Sequence, residues 1–116
     1  MIAEIRHACV LALALLAAAS ADARAQNART ALGGKVFITN CRVCHDTGKA
    51  QNDAPQLSEK SEWQDRLGKG LPELYKSSIE GFTGYYAMPR RGGNPELTDD
   101  EVKAAVDYML LRAGVQ

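Results

Sequence analysis

Hydrophobic positions divide the chain into an apolar opening, a polar middle and a patterned end. Ala8 to Ala19 is an unbroken apolar run. From Ala28 to Cys41, the residues Ala28, Leu32, Val36 and Phe37 recur at helical spacing and predict a first helix. Gly33-Gly34 interrupts it, which implies that another backbone passes close by. Asp46 to Gln56 is polar loop, broken by Gly48 and Pro55. Ser61 is placed to cap a short helix through Leu67, and Gly68 and Gly70 end it. Pro72 suits a first helical turn, so Leu71 to Glu80 predicts a third helix that stops at Gly81. Gly84 to Glu96, with Pro89, Gly92, Gly93 and Pro95, reads as loop.

The last helix is the best defined. Thr98-Asp99-Asp100-Glu101 is a capping box, with Thr98 as N-cap and Glu101 at the third position. Val102, Ala105, Val106, Met109 and Ala113 make one apolar stripe, and Gly114 closes it. No run shows strand alternation. The pattern predicts an all-α domain of about four helices with long loops, and long loops in a small domain usually serve a site.

The apolar run from Ala8 is too short to span a membrane, which takes ~20 residues, but it suits the core of a secretory signal. Arg6 and His7 precede it, although Glu4 weakens the positive start. Ala23-Arg24-Ala25 is the best cleavage site and Ala21-Asp22-Ala23 the second. The division expected is a leader over 1–25 and one domain over 26–116; an uncleaved anchor or a buried helix is the alternative. The chain has 14 Lys+Arg and 14 Asp+Glu, and the leader removes Arg6, Arg24, Glu4 and Asp22, so net charge stays at zero. That argues against a nucleic-acid binder, which needs a basic face. A domain this small buries a thin core and often leans on a metal, disulfide or cofactor.

Cys41-Arg42-Val43-Cys44-His45 supplies such a cofactor site. Two thiols three residues apart face one side of a helical turn, where each can add to a haem vinyl group, and the following histidine can meet the iron. Three other readings compete. A structural zinc site needs four ligands, and His7 and Cys9 lie in the leader, so carboxylates would have to complete it. A thioredoxin-like pair wants a preceding strand, whereas a helix precedes this motif. A plain disulfide leaves His45 unexplained. For a second axial ligand, residues 26–116 offer Met88 and Met109. Pro89 biases Met88 away from helix into an extended strap. Met109 lies on the apolar stripe, where a core role is the default.

These residues resemble class I c-type cytochromes, most closely the short bacterial c-five type, over essentially all of 26–116. The resemblance implies a small cytochrome c fold around one covalent haem c held by Cys41 and Cys44. His45 and Met88 are then the axial ligands. It implies that Gly33 and Phe37 pack the first helix against Tyr108, and that the Pro55 carbonyl accepts a hydrogen bond from His45. Leu57 and Met109 are expected to line the haem. Trp63 and Arg66 match a W-x-x-R pattern; Trp63 either binds a propionate or packs in the core, and Arg66 either pairs with a propionate or is solvated. Tyr85 and Tyr86 sit near the strap. The extra cysteine pair of some c-five-type proteins is missing between Arg90 and Glu96. The activity implied is single-electron transfer in the periplasm between transient redox-protein donors and acceptors, without catalysis and with no small-molecule substrate or membrane span after cleavage. A subunit of a larger oxidoreductase, or a haem peroxidase or gas sensor with a labile methionine, is the alternative. Arg42, Arg90 and Arg91 form a possible basic rim, weighed against a solvated loop.

Overall fold

A computed structural model describes residues 2–48, 53–84 and 87–116. The elements run α1 (Ile2–Val36), a π turn (Phe37–Cys41), α2 (Arg42–His45), α3 (Lys60–Leu67), α4 (Leu71–Glu80), β1 (Phe82–Thr83), β2 (Ala87–Met88), a 3-10 turn (Arg90–Gly93) and α5 (Asp99–Arg112). The fold is helical, as expected, with α1 and α5 crossing at its centre. Phe37, Trp63, Val106, Met109, Leu110 and Ala113 form the core.

The crossing depends on Gly33. A Cβ there would sit 2.1 Å from the Ala104 carbonyl oxygen and 2.9 Å from Tyr108 Cβ. At Gly34 the nearest atom is in the Tyr108 ring, at 3.1 Å. The glycine pair is therefore the place where one helix backbone lies on another. Phe37 then meets Tyr108 with ring centroids 5.4 Å apart.

Local structure departs from expectation in several places. The first helix begins at Ile2 rather than Ala28, and it changes to a π turn before Cys41. Thr39 Oγ1 donates to the Lys35 and Val36 carbonyls, and Asn40 Nδ2 also donates to Val36. Side chains that bond the last-turn carbonyls compete with regular helix bonds. α3 starts at Lys60 with Glu59 as N-cap, so Ser61 is inside the helix and caps nothing. The turn begins early because Glu59 N–H donates to the Gln56 carbonyl at 2.9 Å. Two short strands occur where none was expected: Phe82 pairs with Met88 and Thr83 with Ala87, antiparallel. Gly81 makes this possible. Its φ is +88°, and a Cβ there would lie 3.0 Å from the Met88 carbonyl oxygen.

α5 is capped as the sequence indicates. Glu101 N–H donates to Thr98 Oγ1 at 3.2 Å, and Thr98 N–H donates to Glu101 Oε2 at 2.9 Å. All five residues of its predicted stripe are buried, and Ala104 and Leu110 widen the buried face. A second clasp was not visible in the sequence. Arg29 of α1 donates to Asp107 of α5 at 2.7 Å, and the Tyr75 hydroxyl of α4 donates to the same carboxylate. Replacing Asp107 by Asn is expected to lower stability by about 1 kcal/mol, because the bonds lose their charge assistance at a partly solvated site. For a domain of this size that is roughly 4–8 °C in Tm. Thermal unfolding followed by circular dichroism checks it; an unchanged Tm would mean the cluster holds nothing.

From Leu13 to Ala28 the helix lies in solvent: every residue is exposed, with Leu15 at 72%. Among the described residues, no helix is long and apolar enough to cross a membrane.

Candidate haem site

The π turn delivers Cys41, and α2 delivers Cys44 and His45. Both thiols are free and half-buried. Burial, with the Cys44 charge second, pushes the Cys41 thiol up to about 11. It is therefore a neutral thiol at neutral pH. Among the described residues, no three His, Cys, Asp or Glu side chains converge to hold a metal ion. Cys41, Cys44 and His45 thus do not close on one point, as a zinc site demands. Spread attachment suits a macrocycle.

His45 is buried, and its Nδ1 lies 2.9 Å from the Pro55 carbonyl oxygen. A carbonyl only accepts, so Nδ1 carries the proton and Nε2 keeps its lone pair. Burial lowers the imidazole pKa; the Pro55 bond opposes this, and Arg66 adds repulsion. The ring is thus neutral, with one nitrogen fixed and the other suited to a metal. Leu57 N–H donates to the His45 carbonyl at 2.9 Å, which ties the Pro55–Leu57 segment back to α2.

Trp63 sits in the core with its ring centroid 5.7 Å from that of His45. Its one N–H donates to the Gln56 carbonyl at 2.8 Å. The donor considered for a propionate is therefore engaged within the protein. Arg66 pairs with Glu62 one turn away, at 2.7 Å. Tyr85 and Tyr86 lie outside the described residues.

Met88 lines the same cleft as Cys41, together with Val36, Ser78, Val106 and Met109. Met109 is 3% exposed and also belongs to the core. Leu57 is half-buried against that core. The segment after Met88 is tied down twice. Asn94 Nδ2 donates to Asn40 Oδ1 at 2.9 Å, which binds it to the cysteine turn. Arg91 donates to the Leu97 carbonyl at 2.8 Å and pairs with Asp99 at 2.7 Å. Arg91 is thus an internal brace and leaves the basic rim weighed above, whereas Arg42 and Arg90 are exposed.

Sequence reasoning missed Gln56. It is 5% exposed, and its side-chain amide bonds Cys44, Ala54 and Thr47. Its only signal was a polar residue between Pro55 and Leu57.

The chain therefore offers paired thiols and an oriented neutral imidazole on adjoining turns, with one of those thiols and the Met88 thioether lining a common cleft, and together these are the donor set of a covalently attached haem. Comparison with known proteins points the same way. Residues 28–109 match the family described as cytochrome C oxidase, cbb3-type, subunit III. The chain is 38% identical over 81 residues to cytochrome c-555 of Chlorobaculum thiosulfatiphilum, covering 69% of this chain and 92% of that one. It is 34% identical over 79 residues to cytochrome c5 of Azotobacter vinelandii, covering 66% and 89%. Its fold matches a chain in the crystal structure of an electron transfer complex of nitrite reductase with cytochrome c. That match has a TM-score of 0.61 and 32% identity, and covers 71% of this chain and 94% of the other. The chain belongs to the class I c-type cytochromes, the electron-carrying haem proteins that include cytochromes c-555 and c5.

Proposed function

We propose that this cytochrome carries single electrons on one haem c, joined through Cys41 and Cys44 and ligated by His45 and Met88. The observation that carries this reading is the His45–Pro55 bond, which leaves Nε2 as the nitrogen for iron. When bound, the haem supplies a one-electron ferric/ferrous couple. His45 Nε2 and the Met88 thioether would hold the iron, and with both bound no place would remain for substrate or oxygen. The Met88 thioether favours the ferrous state more than a harder ligand does. Val36, Val106, Leu57 and Met109 exclude water around the ligands, and Trp63 supports His45 from the core.

Residues 1–25 are a leader removed on export, and the domain over 26–116 works in the periplasm. Support comes from the exposure of Leu13 to Ala28 and from Arg29, which is clasped to Asp107 of the body. Its partners are redox proteins met through small transient contacts. The relative found in a complex with nitrite reductase supports that mode of working.

A second reading is a haem subunit fixed in a larger oxidoreductase, favoured by the name of the matching family. Size-exclusion of native periplasm separates a free carrier from a bound subunit. Mass spectrometry tests the cofactor reading. The exported protein is expected to start near Gln26 and to carry one haem on the peptide containing Cys41 and Cys44. Unmodified cysteines, or a disulfide between them, would refute it.

A further inference from the structure

The peptide unit between Pro55 and Gln56 is held at both polar ends. Its oxygen, the Pro55 carbonyl, accepts from His45 Nδ1 at 2.9 Å. Its N–H, on Gln56, donates to Glu59 Oε2 at 2.8 Å. The peptide is trans, so these groups point in opposite directions from one resonant unit. We infer that Glu59 is a positioning residue for the axial imidazole, acting on His45 through the Pro55–Gln56 peptide. The inference rests on His45 being an iron ligand, as proposed above.

A carboxylate that accepts from an amide N–H shifts amide resonance toward the charge-separated form. The carbonyl oxygen becomes more negative and draws more strongly on Nδ1–H. The imidazole gains imidazolate character, and an electron-richer ligand favours ferric iron. Chains of hydrogen bonds polarise one another in this way, by about 10–30% per bond. The partners of a metal-bound histidine likewise set its basicity. Glu59 therefore lowers the potential. Because Glu59 is exposed, solvent and salt screen the effect and keep it modest.

Gln56 makes the effect separable from a structural one. Its Nε2 donates to Cys44 O at 2.7 Å and Ala54 O at 2.9 Å, and its Oε1 accepts from Thr47 N–H at 3.1 Å. Reversing the amide would set its oxygen against two carbonyls, so its orientation is forced. The Gln56 carbonyl also accepts from Trp63 Nε1 and Glu59 N–H. The peptide stays in place when the Glu59 charge is removed.

Glu59→Gln keeps the side-chain length and an acceptor oxygen but loses the charge. In a redox titration of the holoprotein at neutral pH and low salt, the ferrous:ferric ratio at the wild-type midpoint should rise about threefold. That is roughly 30 mV by the one-electron constant of 59 mV per tenfold. The His45 ring N–H resonance of the ferrous protein should move upfield, with Tm unchanged. If Glu59 only closes the turn before α3, the ratio will not move in Glu59→Gln, and the relay is overturned. Asp107→Asn serves as the stability control: a lower Tm with an unchanged ratio supports the relay. An equal rise in that variant would show that a loosened fold alone moves the potential, and the relay falls. Absence of a haem-shifted His45 ring resonance in the wild type overturns the ligand reading and this inference together.

Discussion

Gly33→Ala is expected to destabilise the protein by about 2–3 kcal/mol, at the upper end of the range for overpacking a close contact. The added methyl would sit 2.1 Å from the Ala104 carbonyl oxygen, which is backbone. A side chain could rotate away; a helix backbone must translate, and α5 carries most of the core with it. Alanine's better helix propensity returns roughly 1 kcal/mol, which is already counted in the net figure. The melting temperature should fall by more than about 10 °C. Gly34→Ala is the internal comparison. There the obstacle at 3.1 Å is the Tyr108 ring, a side chain that can yield where a backbone cannot, so the change should be within about 1 kcal/mol. Thermal unfolding of both variants checks the account. If Gly33→Ala is as stable as the wild type, the crossing is not the tight one described.

The second large effect concerns Met88. Met88→Ala should open the iron's second axial position while leaving the haem attached through the cysteines. Its midpoint potential should fall by a sizeable share of the about 0.8 V over which axial ligation and environment tune haem proteins. The Met–iron charge-transfer band of the ferric protein should vanish, and the ferrous protein should bind carbon monoxide quickly. Retention of the band in Met88→Ala would transfer the ligand role to Met109. That outcome is disfavoured by position, since Met109 is 3% exposed within the core cluster.

Much of this architecture was legible in the sequence because its signals are local. The capping box at Thr98 and the stripe behind it act within a few residues, and the glycine pair at 33–34 marks a close approach without naming Ala104 and Tyr108 as the neighbours. The haem motif is legible for the same reason: thiol spacing is fixed by the cofactor and not by the rest of the fold. Contacts between distant segments left no comparable trace. The Arg29–Asp107 bond joins residues 78 apart in sequence, and nothing near either one marks it. Arg91 read as a surface charge because its partners, Leu97 and Asp99, become neighbours only when the strap turns back. The early start of α3 was hidden because glutamate is not a usual cap. Glu59 acts there by closing a turn with Gln56, whereas the stronger capping signal in the sequence is Ser61. Gln56 itself had only its polarity to mark it.

The central claim is that two filled axial positions make this a one-electron carrier. A redox titration of the wild-type holoprotein, followed by its haem absorption, tests it most directly. A single reversible one-electron transition at a positive potential is expected. Two transitions, or one midpoint far into the negative range, would contradict it.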